Sequence, residues 1–172
     1  MNNRDLNILT TEFKLDVEEV LHLCKLKAID MVPFSTVRTP NEQAKLFRQS
    51  RSWKEISDTI EMLKFENANY LAEVMYRVGP QYGRFVTNAY PGLSWHQFGE
   101  AIDCFVLYKG QSIWDSFHPY YAKYAMIAQS IGLESGHYWK FSDSCHIQKR
   151  KGSPKDYFSL IEIDELMEHR YG

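Results

Sequence analysis

Cysteine is scarce in this chain: Cys24, Cys104 and Cys145 are an odd number without a Cys-x-x-Cys spacing, which argues against a disulfide framework. No apolar run approaches the roughly 20 residues that cross a bilayer, and Met1-Asn2-Asn3-Arg4-Asp5-Leu6 lacks the apolar core of a secretory signal, so residence in the cytoplasm without an integral membrane segment is expected. Neither sign of charge dominates. The 20 basic and 22 acidic residues leave a formal net charge of −2, which removes the electrostatic case for a nucleic-acid partner. Internal repeats and low-complexity tracts are absent too. What remains is a 172-residue chain, 44% apolar and 15% aromatic, long enough to bury one sizeable core and expected to form a single domain over residues 1–172.

Helical spacing of Phe13, Val17, Val20, Leu21 and Cys24 predicts an amphipathic helix over Thr11–Lys25, capped by Thr10 or Thr11. Residues 31–37 are apolar but interrupted by Pro33, which fits an edge strand or an extended segment rather than a central strand. Thr39 followed by Pro40 and Glu42 has the pattern of a capping box with proline at the first helical position, so a helix is expected to about Gln49, with Arg38 just ahead of it and free to point elsewhere. Residues 53–78 read as helix in two pieces, with Ile56, Ile60 and Leu63 on one stripe and Ala68, Leu71, Ala72, Met75 and Tyr76 on the other. Residues 81–93 have neither helical nor strand period and read as a loop.

The residues with the most chemistry follow that loop. His96 offers an imidazole nitrogen, Gly99 permits a sharp turn, and Ala101 to Leu107 reads as a buried strand carrying Asp103. A carboxylate on such a strand is costly to desolvate unless paired or bound to a cation. Further on, a turn at Lys109-Gly110-Gln111 and a helix over Pro119 to Ile131, ended by Gly132, lead to Asp143-Ser144-Cys145-His146. Tyr138 to Phe141 and His146 to Gln148 are expected as short strands or as a strand and its return. His96, Asp103 and His146 would leave one position of a tetrahedral Zn²⁺ open, and Asp143 is placed to act as a base beside the metal. Cys104 reads as a core residue. Cys145 adjoins His146 on an extended segment, where neighbouring side chains point to opposite faces, so it is not expected as a ligand. Lys149-Arg150-Lys151 reads as a solvated basic loop, and residues 149–172 as a tail or terminal helix.

Ser94-x-His96-x-x-Gly99-x-Ala101-x-Asp103, followed by Trp139 and Asp143-x-x-His146, resembles the zinc peptidase family of D-alanyl-D-alanine carboxypeptidases and L-alanyl-D-glutamate endopeptidases of bacteriophage and bacilli. Arg38-Thr39-Pro40-Asn41-Glu42-Gln43 resembles that family's Arg-Thr-Pro-x-Glu-Gln segment, and the likeness spans roughly residues 30–148. It implies an α+β fold with a small antiparallel sheet and helices packed around it, Zn²⁺ held by His96, Asp103 and His146, Asp143 as base, and Arg38 assisting substrate or transition state. His137 is a weaker second candidate and reads better as a loop histidine. Aspartate at position 143, where the family's carboxypeptidases carry glutamate, implies the endopeptidase branch. The chain departs from the family pattern at Glu134-Ser135-Gly136-His137-Tyr138, at Cys145 where proline is common, and at Val37 in place of an aromatic. The expected substrate is the peptidoglycan stem peptide, and the expected form a monomeric phage endolysin held in the host cytoplasm until released to the cell wall. A carboxypeptidase, a non-hydrolytic wall-binding module, and a phosphoesterase or amidase with the same metal set are the alternatives.

Overall fold

A computed structural model describes residues 3–172. In chain order its elements are α1 (Thr11–Leu26), β1 (Met31–Ser35), α2 (Pro40–Arg48), α3 (Trp53–Phe65), α4 (Asn69–Arg77), β2 (Ala101–Tyr108), β3 (Gln111–Ile113), α5 (Pro119–Ser130), β4 (Glu134–Ser135), β5 (His146–Gln148) and α6 (Leu160–Tyr171). Short 3-10 turns lie at Leu6–Ile8, Trp95–Phe98, Gly136–Tyr138 and Pro154–Asp156. The class is α+β, as the sequence implies. Two compact units emerge: one takes the residues up to Val37 together with Phe98–Lys151, the other Arg38–Gln97 with Gly152–Gly172. No helix among the described residues is long and apolar enough to cross a membrane.

The first unit contains the sheet. Its strands run in the order β1-β2-β5-β4, all pairings antiparallel, with β3 also on β2. Proline at position 33 is tolerated because β1 is an edge strand, and the β1–β2 register shifts between Pro33 and Ser35. Ile102, Cys104, Val106 and Ile147 join Phe13, Val17, Val20 and Cys24 of α1 and Tyr121, Tyr124 and Ala128 of α5 in one buried cluster. The alternate positions of β2 and β5, including Asp103 and His146, therefore face away from that cluster. Cys24 and Cys104 are free thiols with no exposure, and burial pushes their pKa values up to about 11 and about 12, as expected of inert core cysteines.

The second unit is helical. Thr39 and Ser52 cap α2 and α3 with complete capping boxes, the first as the sequence predicts. The Ala68 cap position of α4 has no side-chain acceptor, and Asp164 of α6 fills the gap, accepting from the Leu71 and Tyr70 amides at 2.7 and 3.1 Å. Gly92 has φ +92°, and a Cβ there would stand 2.6 Å from Ile163 Cγ2 and 2.8 Å from Leu71 Cδ1. Residues 149–172 end in a docked helix, with Leu160, Ile163 and Met167 of α6 buried.

Several expectations need correction. Tyr138 to Phe141 form no strand: the chain leaves a 3-10 turn, and the Trp139 and Asp143 amides both return to the Gly136 carbonyl, at 3.1 and 2.9 Å. Tyr138 and Phe141 are exposed, so their aromatic character does not report burial. Gln111 belongs to a strand, not the turn, because Lys109 and Gly110 alone, with φ of 50° and 75°, make the tight reversal from β2 to β3. Tyr76 is exposed and lies off the buried stripe of α4, whereas Leu21 of α1 is partly buried and packs against the core cluster. The basic run is not simply solvated: Lys149 Nζ meets Asp16 Oδ2 at 2.6 Å, and Arg150 forks onto both oxygens of Glu100 at 2.7 and 3.2 Å.

Candidate metal centre and active site

Asp103 and His146 are directly opposed partners of β2 and β5. Their side chains rise on the same face, and His146 Nδ1 lies 3.0 Å from Asp103 Oδ1. Gly99, with φ 74°, turns the chain into β2 and so brings the aspartate to this register. Both groups are at least nine-tenths buried. Burial disfavours the imidazolium, but the Asp103 hydrogen bond and the charges of Asp103 and Asp143 outweigh it, so the His146 pKa is raised. The other ring nitrogen, Nε2, lies 2.9 Å from Gln148 Oε1. Trp139 packs over the ring with centroids 5.1 Å apart, and its indole N–H donates to Glu134 Oε1 at 2.7 Å.

Asp143 is exposed and held by its backbone. Its amide donates to the Gly136 carbonyl and its carbonyl accepts from the His146 amide at 3.1 Å. This loop depends on glycine: a Cβ on Gly136 would stand 2.6 Å from the Asp143 carbonyl oxygen and 3.2 Å from Trp139 Cε3. Cys145 turns the opposite way from His146 and packs against the core cluster, yet its thiol donates to Asp143 Oδ1 at 3.0 Å. Ligand atoms of Asp103, Asp143 and Cys145 lie within 4.8 Å of one another. Burial, then the charges of Asp103 and Asp143, push the Cys145 thiol pKa far up, in keeping with a protonated thiol that donates to Asp143. His137 is a half-buried loop histidine, its Nδ1 2.9 Å from Ser144 Oγ.

His96 and Arg38 belong to the second unit. His96 is 2% exposed on the Trp95–Phe98 turn, and its carbonyl accepts from the Arg38 amide at 3.3 Å. Arg38 Nη1 donates to Gln43 Oε1 at 3.0 Å, and the Gln43 amide nitrogen donates to the Ala89 carbonyl at 2.7 Å, which fixes the direction of that side chain.

The first unit fits a divalent cation. A buried imidazole nitrogen and a buried carboxylate oxygen at 3.0 Å both present lone pairs unless a proton or a metal lies between them. A mixed nitrogen and oxygen donor set suits Zn²⁺. Sequence reasoning missed Gly136, Glu134 and Gln148. Gln148 was findable, because two residues after His146 on a strand is the same face.

A family model described as VanY, D-alanyl-D-alanine carboxypeptidase, matches residues 7–151. No curated protein matches the sequence. Among solved structures, the Serratia marcescens L-Ala D-Glu endopeptidase ChiX is similar with a TM-score of 0.48 and 16% identity, over 91% of this chain and 92% of that one. A mutant of the vancomycin-resistance D,D-pentapeptidase VanY from a VanB-type resistance cassette, in complex with Zn(II), gives a TM-score of 0.46 and 13% identity, over 90% of this chain and 83% of that one. Because the family match takes in most of the sequence, including Asp103, Asp143 and His146, this chain belongs to the VanY D-alanyl-D-alanine carboxypeptidase family.

Proposed function

We propose that this protein is a zinc-dependent peptidase of peptidoglycan that cuts the L-alanyl–D-glutamate bond of the stem peptide. The observation that carries the reading is the buried Asp103–His146 pair with Asp143 beside it, whose backbone carbonyl accepts from the His146 amide and whose carboxylate is exposed. By the resemblance, Asp103, His146 and His96 would hold the metal. Bound Zn²⁺ supplies Lewis acidity for the scissile carbonyl and lowers the pKa of a water to near neutrality.

The protein's own groups do the rest. Asp143 takes the proton of the attacking water and passes it to the leaving amine. Its Oδ1 already accepts the Cys145 thiol, which leaves the other carboxylate oxygen for that proton. Arg38, aimed by Gln43, offers a fixed cationic fork to a substrate carboxylate or to the developing oxyanion. Asp143 in place of glutamate supports the endopeptidase specificity through the resemblance. The family model, described as a carboxypeptidase, favours release of terminal D-alanine as the second reading. The setting that fits the endopeptidase reading is a phage endolysin acting on the wall after release from the host cytoplasm. Digestion of purified peptidoglycan that stops on chelation and returns with Zn²⁺ is the expected result; digestion indifferent to the chelator rejects the metal-dependent reading.

A further inference from the structure

His146 makes a second hydrogen bond whose direction is determined. The side-chain nitrogen of Gln148 donates to the Arg150 carbonyl at 2.7 Å and to Glu134 Oε2 at 3.0 Å. Neither partner can donate, so the amide cannot be flipped, and Oε1 is the atom that faces His146 Nε2 at 2.9 Å. An amide oxygen has no proton to give. Nε2 therefore carries the hydrogen, and Nδ1, which faces the Asp103 carboxylate, is the nitrogen left for a metal to take in exchange for a proton.

The arrangement behind Gln148 is equally constrained. Glu134 and Gln148 are opposed partners of β4 and β5, and Gln148 is 3% exposed. The second oxygen of Glu134 accepts the Trp139 indole N–H at 2.7 Å, and Trp139 covers the His146 ring. On its other side Gln148 is opposite Ala101 of β2. Sheet register and side-chain direction thus converge on one imidazole.

We propose that Gln148 is a positioning residue that commits His146 to bind metal through Nδ1, with Glu134 and the Arg150 carbonyl holding Gln148 in the orientation this requires. The inference rests on the metal reading proposed above. Outer partners of this kind orient the ligand and raise its basicity, and their loss typically weakens metal binding by about 10- to 100-fold.

The test compares the full-length wild type, Gln148→Leu, and the paired exchange Gln148→Glu with Glu134→Gln. Zinc affinity is measured by competition with a chromogenic chelator, and the His146 ring nitrogens are followed by ¹⁵N NMR in the loaded protein. Wild type should show Nδ1 metallated and a slowly exchanging Nε2–H. Gln148→Leu should bind zinc roughly 10- to 100-fold more weakly and lose the protection of that proton. The paired exchange keeps an acceptor toward His146 and a donor–acceptor contact with position 134, so it should recover part of the affinity. A role in packing alone would change the unfolding midpoint and leave the metallated nitrogen and the zinc affinity as they are. Unchanged affinity in Gln148→Leu, or metal on Nε2 in wild type, overturns the inference while the metal reading stands. A wild-type protein that takes up no zinc overturns both.

Discussion

His146 Nδ1 and Asp103 Oδ1 meet at 3.0 Å across adjacent antiparallel strands, on the face of the sheet turned away from the hydrophobic cluster. A directly opposed pair has little freedom to move apart, because both backbones are fixed by the ladder. His146→Ala should therefore remove most of the bound zinc. Metal analysis of the purified variant, compared with the one zinc per chain expected of the wild type, checks this. His96→Ala should behave the same way if His96 is the third ligand that the resemblance implies, and a variant that keeps its zinc would strike His96 from the set.

Asp143→Asn separates base from ligand. The amide keeps the size of the side chain and can still accept the Cys145 thiol through its oxygen, but it takes up no proton from water. Zinc content should stay close to wild type while the cleavage rate falls about 10²-fold or more. Loss of the metal in this variant would mean that Asp143 had been given the wrong role.

Gly136→Ala tests the loop that carries Asp143. A Cβ 2.6 Å from the Asp143 carbonyl oxygen has to displace backbone, and overpacking of this kind costs about 1–3 kcal/mol. A shift of roughly 1 Å at a reacting group can cost about 10²-fold in rate. The variant should fold, with a lower urea midpoint, and cleave far more slowly. Wild-type turnover would show that the loop gives way without moving the carboxylate.

Asp164→Ala probes the fold away from the chemistry. Two amides at the start of α4 lose their acceptor, at a cost of about 1–3 kcal/mol for a buried unsatisfied group. Urea denaturation should show that loss, and the folded variant should bind zinc as wild type does. A denaturation midpoint equal to wild type would show that water replaces the carboxylate.

Local rules carried much of this architecture in the sequence. The Thr39 capping box, the α3 and α4 helices, β2, and the strand alternation that turns Cys145 away from its neighbour His146 all follow from short-range periodicity and cap chemistry. The metal-site motif was legible through resemblance and through the cost of a carboxylate on an apolar strand. Long-range pairings were not. Asp164 caps a helix more than ninety positions earlier, and Glu134 acquires its role only when β4 docks on β5. Tyr138 to Phe141 misled because exposed aromatics imitate a buried strand when their partners are unknown.

Arg38→Ala should keep the metal and the helix, since Thr39 caps α2 independently of the arginine, yet lose most cleavage. Zinc content and muropeptide turnover measured on the same preparation check this, and wild-type turnover would remove Arg38 from the site.

Mass-spectrometric identification of the termini released from purified peptidoglycan by the zinc-loaded protein, with Asp143→Asn as the control, tests the central claim most directly. The account predicts new N-terminal D-glutamate or its amidated form, no free D-alanine, and neither product from the variant above about one hundredth of the wild-type rate. Free D-alanine without new D-glutamate termini would contradict the endopeptidase assignment and put the carboxypeptidase reading in its place.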